Sequence, residues 1–328
     1  MSSKIRCALV GLGRWGELLV EAGKQAESLE ITAVVTRTPS KVERYCADNN
    51  LQLTDQLNNV LEDDDIDALI IATPHSQHFE QLMKAAECGK HVYCEKPFTL
   101  NSAQADEALS ALAKSGCKVA IGHNRRFAPN TLALQQLIAD GRLGELVHIE
   151  GCFHANMAQA SGKWRDSVEE SPAGGMTSLG IHAVDMLINL MGPITRVDAE
   201  SERIAATCAF DDHTSARLRF ANGGKGQLTT LTSTAMRWVI TVCGTKGWAE
   251  IRDLDKLTFS PTEGALEENT YPGFDYPGLA SITAALQGFA GDVLLNQPYA
   301  VSPHQIAHAT AVLQAVIDSS LSGESVDL

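Results

Sequence analysis

The chain has 328 residues, with 26 Lys and Arg against 40 Asp and Glu, a formal net charge of −14. At roughly 100–200 residues per domain the length predicts about two domains, and a 44% apolar fraction with no low-complexity tract excludes intrinsic disorder. The acidic balance leaves no basic stripe to neutralise phosphates, so no nucleic-acid partner is expected.

Residues 5–10 form a short apolar run that ends in a glycine cluster, the pattern of a buried strand feeding a turn. Residues 14–28 carry Trp15, Leu18, Leu19 and Ala22 at helical spacing. Residues 31–35 are β-branched and read as a second strand, and Pro39 and Ser40 open a further helix. Leu69–Ala72 is a third strand, 77–89 a helix stopped by Gly89, and His91–Cys94 a fourth strand before Pro97. A helix over 102–115 and a strand over Lys118–Ile121 follow. Near-continuous apolar strands alternating with helices predict a parallel sheet covered on both faces, a doubly wound Rossmann domain over residues 1–122.

The rhythm changes after Gly122. Residues 130–139 and Gly180–Leu190 read as helices, and strand-like runs follow at 194–204, 213–220, 226–234, 237–243 and 247–251. Asn222-Gly223-Gly224 is a hairpin signal, so residues 123–328 are expected to form an α/β domain with an open, mainly antiparallel sheet. Residues 261–278 read as an irregular loop, and helices over 282–296 and 303–321 close the chain.

The longest clean apolar run is Ala68–Ala72, far short of the roughly 20 residues a membrane-spanning helix needs. Lys4 and Arg6 precede only a four-residue apolar run, so no export signal is expected. The eight cysteines contain no Cys-x-x-Cys pair. Reduced thiols, a cytoplasmic location and no metal site follow as expectations.

The first turn reads Gly11-Leu12-Gly13-Arg14-Trp15-Gly16. In a strand–turn–helix context these glycines suit a dinucleotide. Gly11 makes the tight turn, Gly13 lets the backbone approach a pyrophosphate, and Gly16 packs helix on strand. The helix start favours the anion. The end of the second strand should meet the ribose 2′ position. No acidic residue lies between Glu30 and Glu43, where an NAD site places a carboxylate. Arg37 offers a planar fork for a phosphate, with Thr36, Thr38 or Ser40 as added donors. NADP(H) is therefore expected ahead of NAD(H), which stays possible.

Three further groups carry a resemblance: Ala72-Thr73-Pro74 with His78, then Glu95-Lys96-Pro97, then Gly174-Gly175 followed by Gly180-Ile181-His182-Ala183-Val184-Asp185. With the glycine turn, and with Asn124-Arg125-Arg126-Phe127, the chain resembles the glucose–fructose oxidoreductase/inositol dehydrogenase/rhizopine-catabolism family along nearly its whole length. The resemblance implies a Rossmann domain holding a nicotinamide cofactor and a C-terminal domain serving substrate and oligomer contacts, commonly a dimer or tetramer. It implies Lys96 and His182 as the catalytic groups at the reacting carbinol. It places the cofactor against Gly11, Gly13, Arg14, Trp15, Gly16, Thr36, Arg37, Thr73, Pro74, His78, Glu95 and Lys96.

The residues agree with that picture. Lys96 falls just past the end of a parallel strand, where open α/β sheets bind ligands. His182 and Asp185 are i, i+3 neighbours, so one could orient the other. Asp185, Ser178, Arg126 and Trp164 are candidate substrate contacts. Arg125 and Arg126 could hold a substrate oxygen or the cofactor, or one of the two could equally be half of a structural ion pair, and His123, His154, Trp164 and Arg165 could line the same pocket. Many members carry Asp or Asn four residues before the motif histidine, whereas this chain has Ser178, which cannot hold a buried negative charge. The expected activity is hydride transfer between NAD(P) and a secondary alcohol or ketone of a sugar, inositol or related cyclic polyol. A nicotinamide-dependent glycosidase and a non-catalytic nucleotide-sensing regulator of the same fold are the alternatives.

Overall fold

A computed structural model describes residues 4–274 and 278–328. In chain order the elements begin with β1 (Ile5–Val10), α1 (Arg14–Gln25), β2 (Leu29–Val35), α2 (Glu43–Asp48), β3 (Gln52–Thr54), α3 (Leu57–Leu61), β4 (Ala68–Ile71), α4 (His78–Glu87), β5 (His91–Cys94), α5 (Ser102–Lys114) and β6 (Val119–Ile121). There follow α6 (Pro129–Ala139), β7 (Leu146–Asn156), α7 (Ile181–Met191), β8 (Ile194–Glu202), β9 (His213–Phe220), β10 (Lys225–Leu231) and β11 (Ser233–Gly244). The last are β12 (Gly247–Arg252), β13 (Lys256–Pro261), β14 (Glu267–Thr270), α8 (Leu279–Leu295), α9 (Pro303–Ser322) and β15 (Val326–Asp327).

Two compact units result. The first holds residues 1–99, 103–124 and 279–307; the second holds 100–102, 125–278 and 308–328. The units are not divided by a single cut in the chain: residues 279–307 lie with the N-terminal unit and 100–102 with the second. The contacts explain why. Phe289 of α8 packs on Tyr93 with ring centroids 5.9 Å apart. Gln287 accepts hydrogen bonds from the amides of Glu27 and Ser28 at 2.9 and 3.2 Å. The Tyr299 hydroxyl donates to the carbonyl of Ile121 at 2.9 Å.

The sheet of the first unit is parallel, in the order β3-β2-β1-β4-β5-β6. Leu9, Leu69, Ile70, Ile71 and Tyr93 are fully buried within it, as strands covered on both faces require. The order reverses between β1 and β4. The carboxyl ends of the strands at that switch point are the place where doubly wound sheets take ligands.

The sheet of the second unit runs β14-β13-β12-β11-β7-β10-β9-β8-β15, antiparallel except for the pair β7 and β10. Asn222–Gly224 does turn β9 into β10, with Gly223 at φ +87°. The central strand β7 is absent from the sequence reading, and part of the expected loop over 261–278 is the edge strand β14; residues 275–277 of that loop lie outside the described residues. One face of the sheet is closed by α7 and the C-terminal part of α9, with Ile149, Phe153, Leu187, Ile240 and Leu313 in the core. Among the described residues no helix is long and apolar enough to cross a membrane.

Candidate functional site

The first unit presents a cradle at its switch point. Gly11 has φ +100°, and a Cβ there would sit 2.7 Å from the carbonyl oxygen of Ala72. A Cβ on Gly16 would sit 2.5 Å from the carbonyl oxygen of Gly11. Both positions thus have no room for a side chain. Gly13 is the opposite case, for a Cβ there would meet nothing within 4 Å. It caps α1 without any side-chain hydrogen bond, so the first amides of α1 have no side-chain cap. Open space in front of uncapped amides at a helix start fits a pyrophosphate. Thr36 and the exposed Arg37 follow β2 on the same side of the sheet as Gly11, whose amide donates to the carbonyl of Val35 at 2.9 Å. The residues present therefore fit a dinucleotide; no carboxylate follows β2 in sequence before Glu43, while Asp55 follows Thr54, the β3 partner of Val35.

Next to the glycine turn, two loops leave β4 and β5. Thr73-Pro74 leaves β4, and the Thr73 hydroxyl donates to Gln81 at 2.7 Å. Glu95-Lys96-Pro97 leaves β5; the Lys96–Pro97 peptide bond is cis. The Glu95 carboxylate lies so close to Gly122 that a Cβ on that glycine would come within 2.5 Å of it. The Cys94 thiol is pushed well up by burial, reinforced by the Glu95 charge, and stays protonated. His78 sits between the loops, its Nδ1 2.8 Å from the carbonyl oxygen of Pro97 and its Nε2 3.1 Å from that of Thr73. His123 is buried just past β6.

In the second unit, Gly174-Gly175 leads into a single π turn, Met176–Gly180, that runs directly into α7. A Cβ on Gly175 would meet the Thr232 methyl at 2.5 Å, and one on Gly180 the Thr230 methyl at 2.7 Å. The glycines thus seat the helix start on β10 and the residue after its end. His182 lies one residue into α7, 6% exposed, tilted against Phe153 with centroids 5.9 Å apart. Phe153 stacks edge-on with Trp238, and the Arg125 guanidinium lies 4.4 and 4.2 Å from the two rings. This aromatic floor beneath His182 is absent from the sequence reading. Its only sequence signal is the period-2 placement of Phe153 and the pair Arg125-Arg126.

Where the sequence offers Asp185 and Arg126 as substrate contacts, the structure has them contacting each other. Arg126 donates from Nη2 and Nε to the two carboxylate oxygens at 2.7 and 2.9 Å, and both side chains are 2% exposed. Arg126 Nη1 also donates to Asn189 at 3.1 Å. Ser178 donates to the Met157 sulfur at 3.5 Å. Trp164 lies under the guanidinium of its neighbour Arg165 at 3.9 Å. His154 faces Arg237 across the strand pair β7 and β11. Its pKa is lowered, first by burial and then by the charges of Arg237 and His213.

Comparison with known proteins bears on both units. A family model described as an oxidoreductase family with an NAD-binding Rossmann fold matches residues 5–123, and a model of the GFO/IDH/MocA C-terminal domain matches 131–250. An uncharacterized oxidoreductase of Schizosaccharomyces pombe is 30% identical over 256 residues, 74% of this chain and 66% of that protein. The scyllo-inositol 2-dehydrogenase (NADP(+)) of Bacillus subtilis is 26% identical over 166 residues, 51% of this chain and 46% of that one. The chain spans 42% to 66% of the length of the first four curated relatives it matches. Among solved structures, levoglucosan dehydrogenase in complex with NADH and levoglucosan superposes with a TM-score of 0.91 at 18% identity, over 99% of each chain.

Proposed function

Because this chain belongs to the GFO/IDH/MocA family of oxidoreductases, with its NAD-binding Rossmann fold, we propose that it transfers hydride between nicotinamide and a secondary alcohol or ketone of a small sugar, inositol or related cyclic polyol. The observation that carries this reading is the cradle at the switch point. Open space at Gly13 faces an uncapped helix start, and the loop bearing Lys96 leaves the sheet two strands away. A relative named for scyllo-inositol and a structural neighbour bound to levoglucosan support the substrate class.

In this reading Gly11, Gly13, Arg14, Trp15 and Gly16 hold the pyrophosphate, and Thr36 and Arg37 the 2′ end. Thr73, Pro74, Glu95 and Lys96 border the nicotinamide. Arg37, in a stretch with no acidic residue between Glu30 and Glu43, favours NADP(H), in line with the NADP(+) in the name of the inositol relative. When bound, the nicotinamide supplies the hydride acceptor or donor. The Lys96 ammonium holds the carbinol oxygen and stabilises charge that builds there. Lys96 or His182 takes the hydroxyl proton in oxidation and returns it in reduction. The packing of His182 on Phe153 limits the tilt of its ring. The oligomer, dimer or tetramer, and the cytoplasmic location belong to the same proposal.

The test follows nicotinamide absorbance across inositols, sugars, anhydrosugars and glycosides. Net reduction with at least one polyol is expected. Lys96→Met is expected to lower turnover by about 10²–10⁴ while cofactor binding survives. Near-normal turnover in that variant removes the role of Lys96. Release of sugar from a glycoside without net reduction assigns the chain to the glycosidase alternative. Cofactor binding without turnover on any compound assigns it to the regulator.

A further inference from the structure

His78 opens α4 and is 0% exposed. Its two ring nitrogens face two main-chain carbonyls, Pro97 at 2.8 Å through Nδ1 and Thr73 at 3.1 Å through Nε2. These carbonyls belong to the loops leaving the adjacent parallel strands β5 and β4. A neutral imidazole donates from one nitrogen only, and the Pro97 contact is the shorter. The Cys94 sulfur lies 3.6 Å from the same Nδ1, and the His75 ring stands edge-on with its centroid 6.0 Å away. With each nitrogen turned to backbone, the ring's polar atoms point at the loops themselves. The Pro97 carbonyl lies one residue beyond Lys96, and the Lys96 amide donates to the Glu95 carboxylate at 3.4 Å. The lysine's backbone is thereby held on both sides.

We infer that His78 is a positioning residue for Lys96: from the first residue of α4, just after the Thr73-Pro74 turn, it holds the Lys96-Pro97 turn from beneath through Nδ1 and the Pro97 carbonyl, and contacts neither cofactor nor substrate. This rests on the reading of Lys96 as the proton-transfer group. A misplacement of about 1 Å at such a group can cost roughly 100-fold in rate, so the tether matters to turnover without entering the chemistry.

Two near-isosteric substitutions separate the two links. The amide nitrogen of Asn falls near the position of Nδ1 and can still donate to Pro97. That of Gln falls near Nε2 and can reach only Thr73. Steady-state kinetics with a turned-over polyol, cofactor titration by fluorescence and thermal melts are measured on His78→Asn, His78→Gln and Lys96→Met. The expected result is a loss of about 100-fold in kcat for His78→Gln, recovery of most of it in His78→Asn, and unchanged cofactor affinity in both. Wild-type kcat in His78→Gln beside an inactive Lys96→Met overturns the tether alone. Near-normal turnover in Lys96→Met overturns the reading of Lys96, and the tether with it. Equal losses in the Asn and Gln variants, weakened cofactor binding with intact kcat, or loss of the fold in both variants each overturn it as well.

Discussion

Replacing Gly13 by Ala separates ligand from fold at the glycine turn. Its backbone has φ −103° and ψ −170°, a conformation every residue adopts, and the added methyl would meet no protein atom within 4 Å. At such a position Gly→Ala stabilises by about 0.4–1 kcal/mol, by restricting the unfolded chain. For a domain of this size the melting temperature should stay level or rise by about 1–4 °C. The same methyl stands in the space that a pyrophosphate needs to reach the first amides of α1. Losing one hydrogen bond to a charged group costs about 1.5–3 kcal/mol, which is about 10- to 150-fold in Kd. Gly11→Ala should behave oppositely: with φ +100° and the Ala72 carbonyl oxygen 2.7 Å away, the fold itself pays, by about 1–3 kcal/mol. Thermal melts without cofactor and fluorescence titrations with NADPH and NADH read the two effects apart. A Gly13→Ala protein that binds both cofactors as the wild type does would refute the placement of the anion over Gly13.

Arg37→Asp should lower NADP(H) affinity at least about tenfold, the value of one charge-assisted hydrogen bond, and leave NAD(H) affinity level or improved; unchanged NADP(H) binding in a titration removes the Arg37 assignment. Arg126→Met strands the Asp185 carboxylate in the interior at about 3–5 kcal/mol, a fall of about 6–20 °C in melting temperature, and Arg126→Met with Asp185→Leu should recover most of it. A level melting temperature with a raised substrate KM would mean that the pair serves substrate instead. His91 has its pKa lowered, by burial first and by Lys118 against the opposing pull of Asp67 and Asp292, while its Nδ1 accepts the Lys118 amide at 3.0 Å. The unfolded chain therefore binds the proton better, so this contribution is present above about pH 6.5 and fades as pH falls through the lowered value. His91→Asn keeps an acceptor near Nδ1 without titrating, and urea melts between pH 5 and 8 should show a flatter acid limb; an unaltered limb rejects the assignment.

The parts legible in the sequence are those whose physics is written in side chains. β1, β4 and β5 stand out because both faces of a parallel sheet are covered and nearly all their residues are buried and apolar, Arg6 and His91 near the strand starts apart. The glycine turn stands out because Gly11 and Gly16 answer to steric limits that no other residue meets. β7 escapes for the converse reason. Gly151 interrupts its side-chain pattern, and it is the gap that admits Leu187 and Ile240, at 2.9 and 3.0 Å from where its Cβ would be. The apolar face of α8 predicts that something covers it, but periodicity carries no address, and it packs on a sheet whose last strand ended more than 150 residues earlier. The same holds within the site. Helical spacing puts Asp185 beside His182, whereas its carboxylate is claimed by Arg126, 59 residues upstream. His78 is the extreme case, because each of its ring nitrogens faces a main-chain carbonyl and no letter of the sequence records where a carbonyl points. A motif histidine next to a motif lysine therefore reads as a ligand until the backbone around it is known. What decides between ligand and tether is where its two nitrogens point, and here both face peptide oxygens.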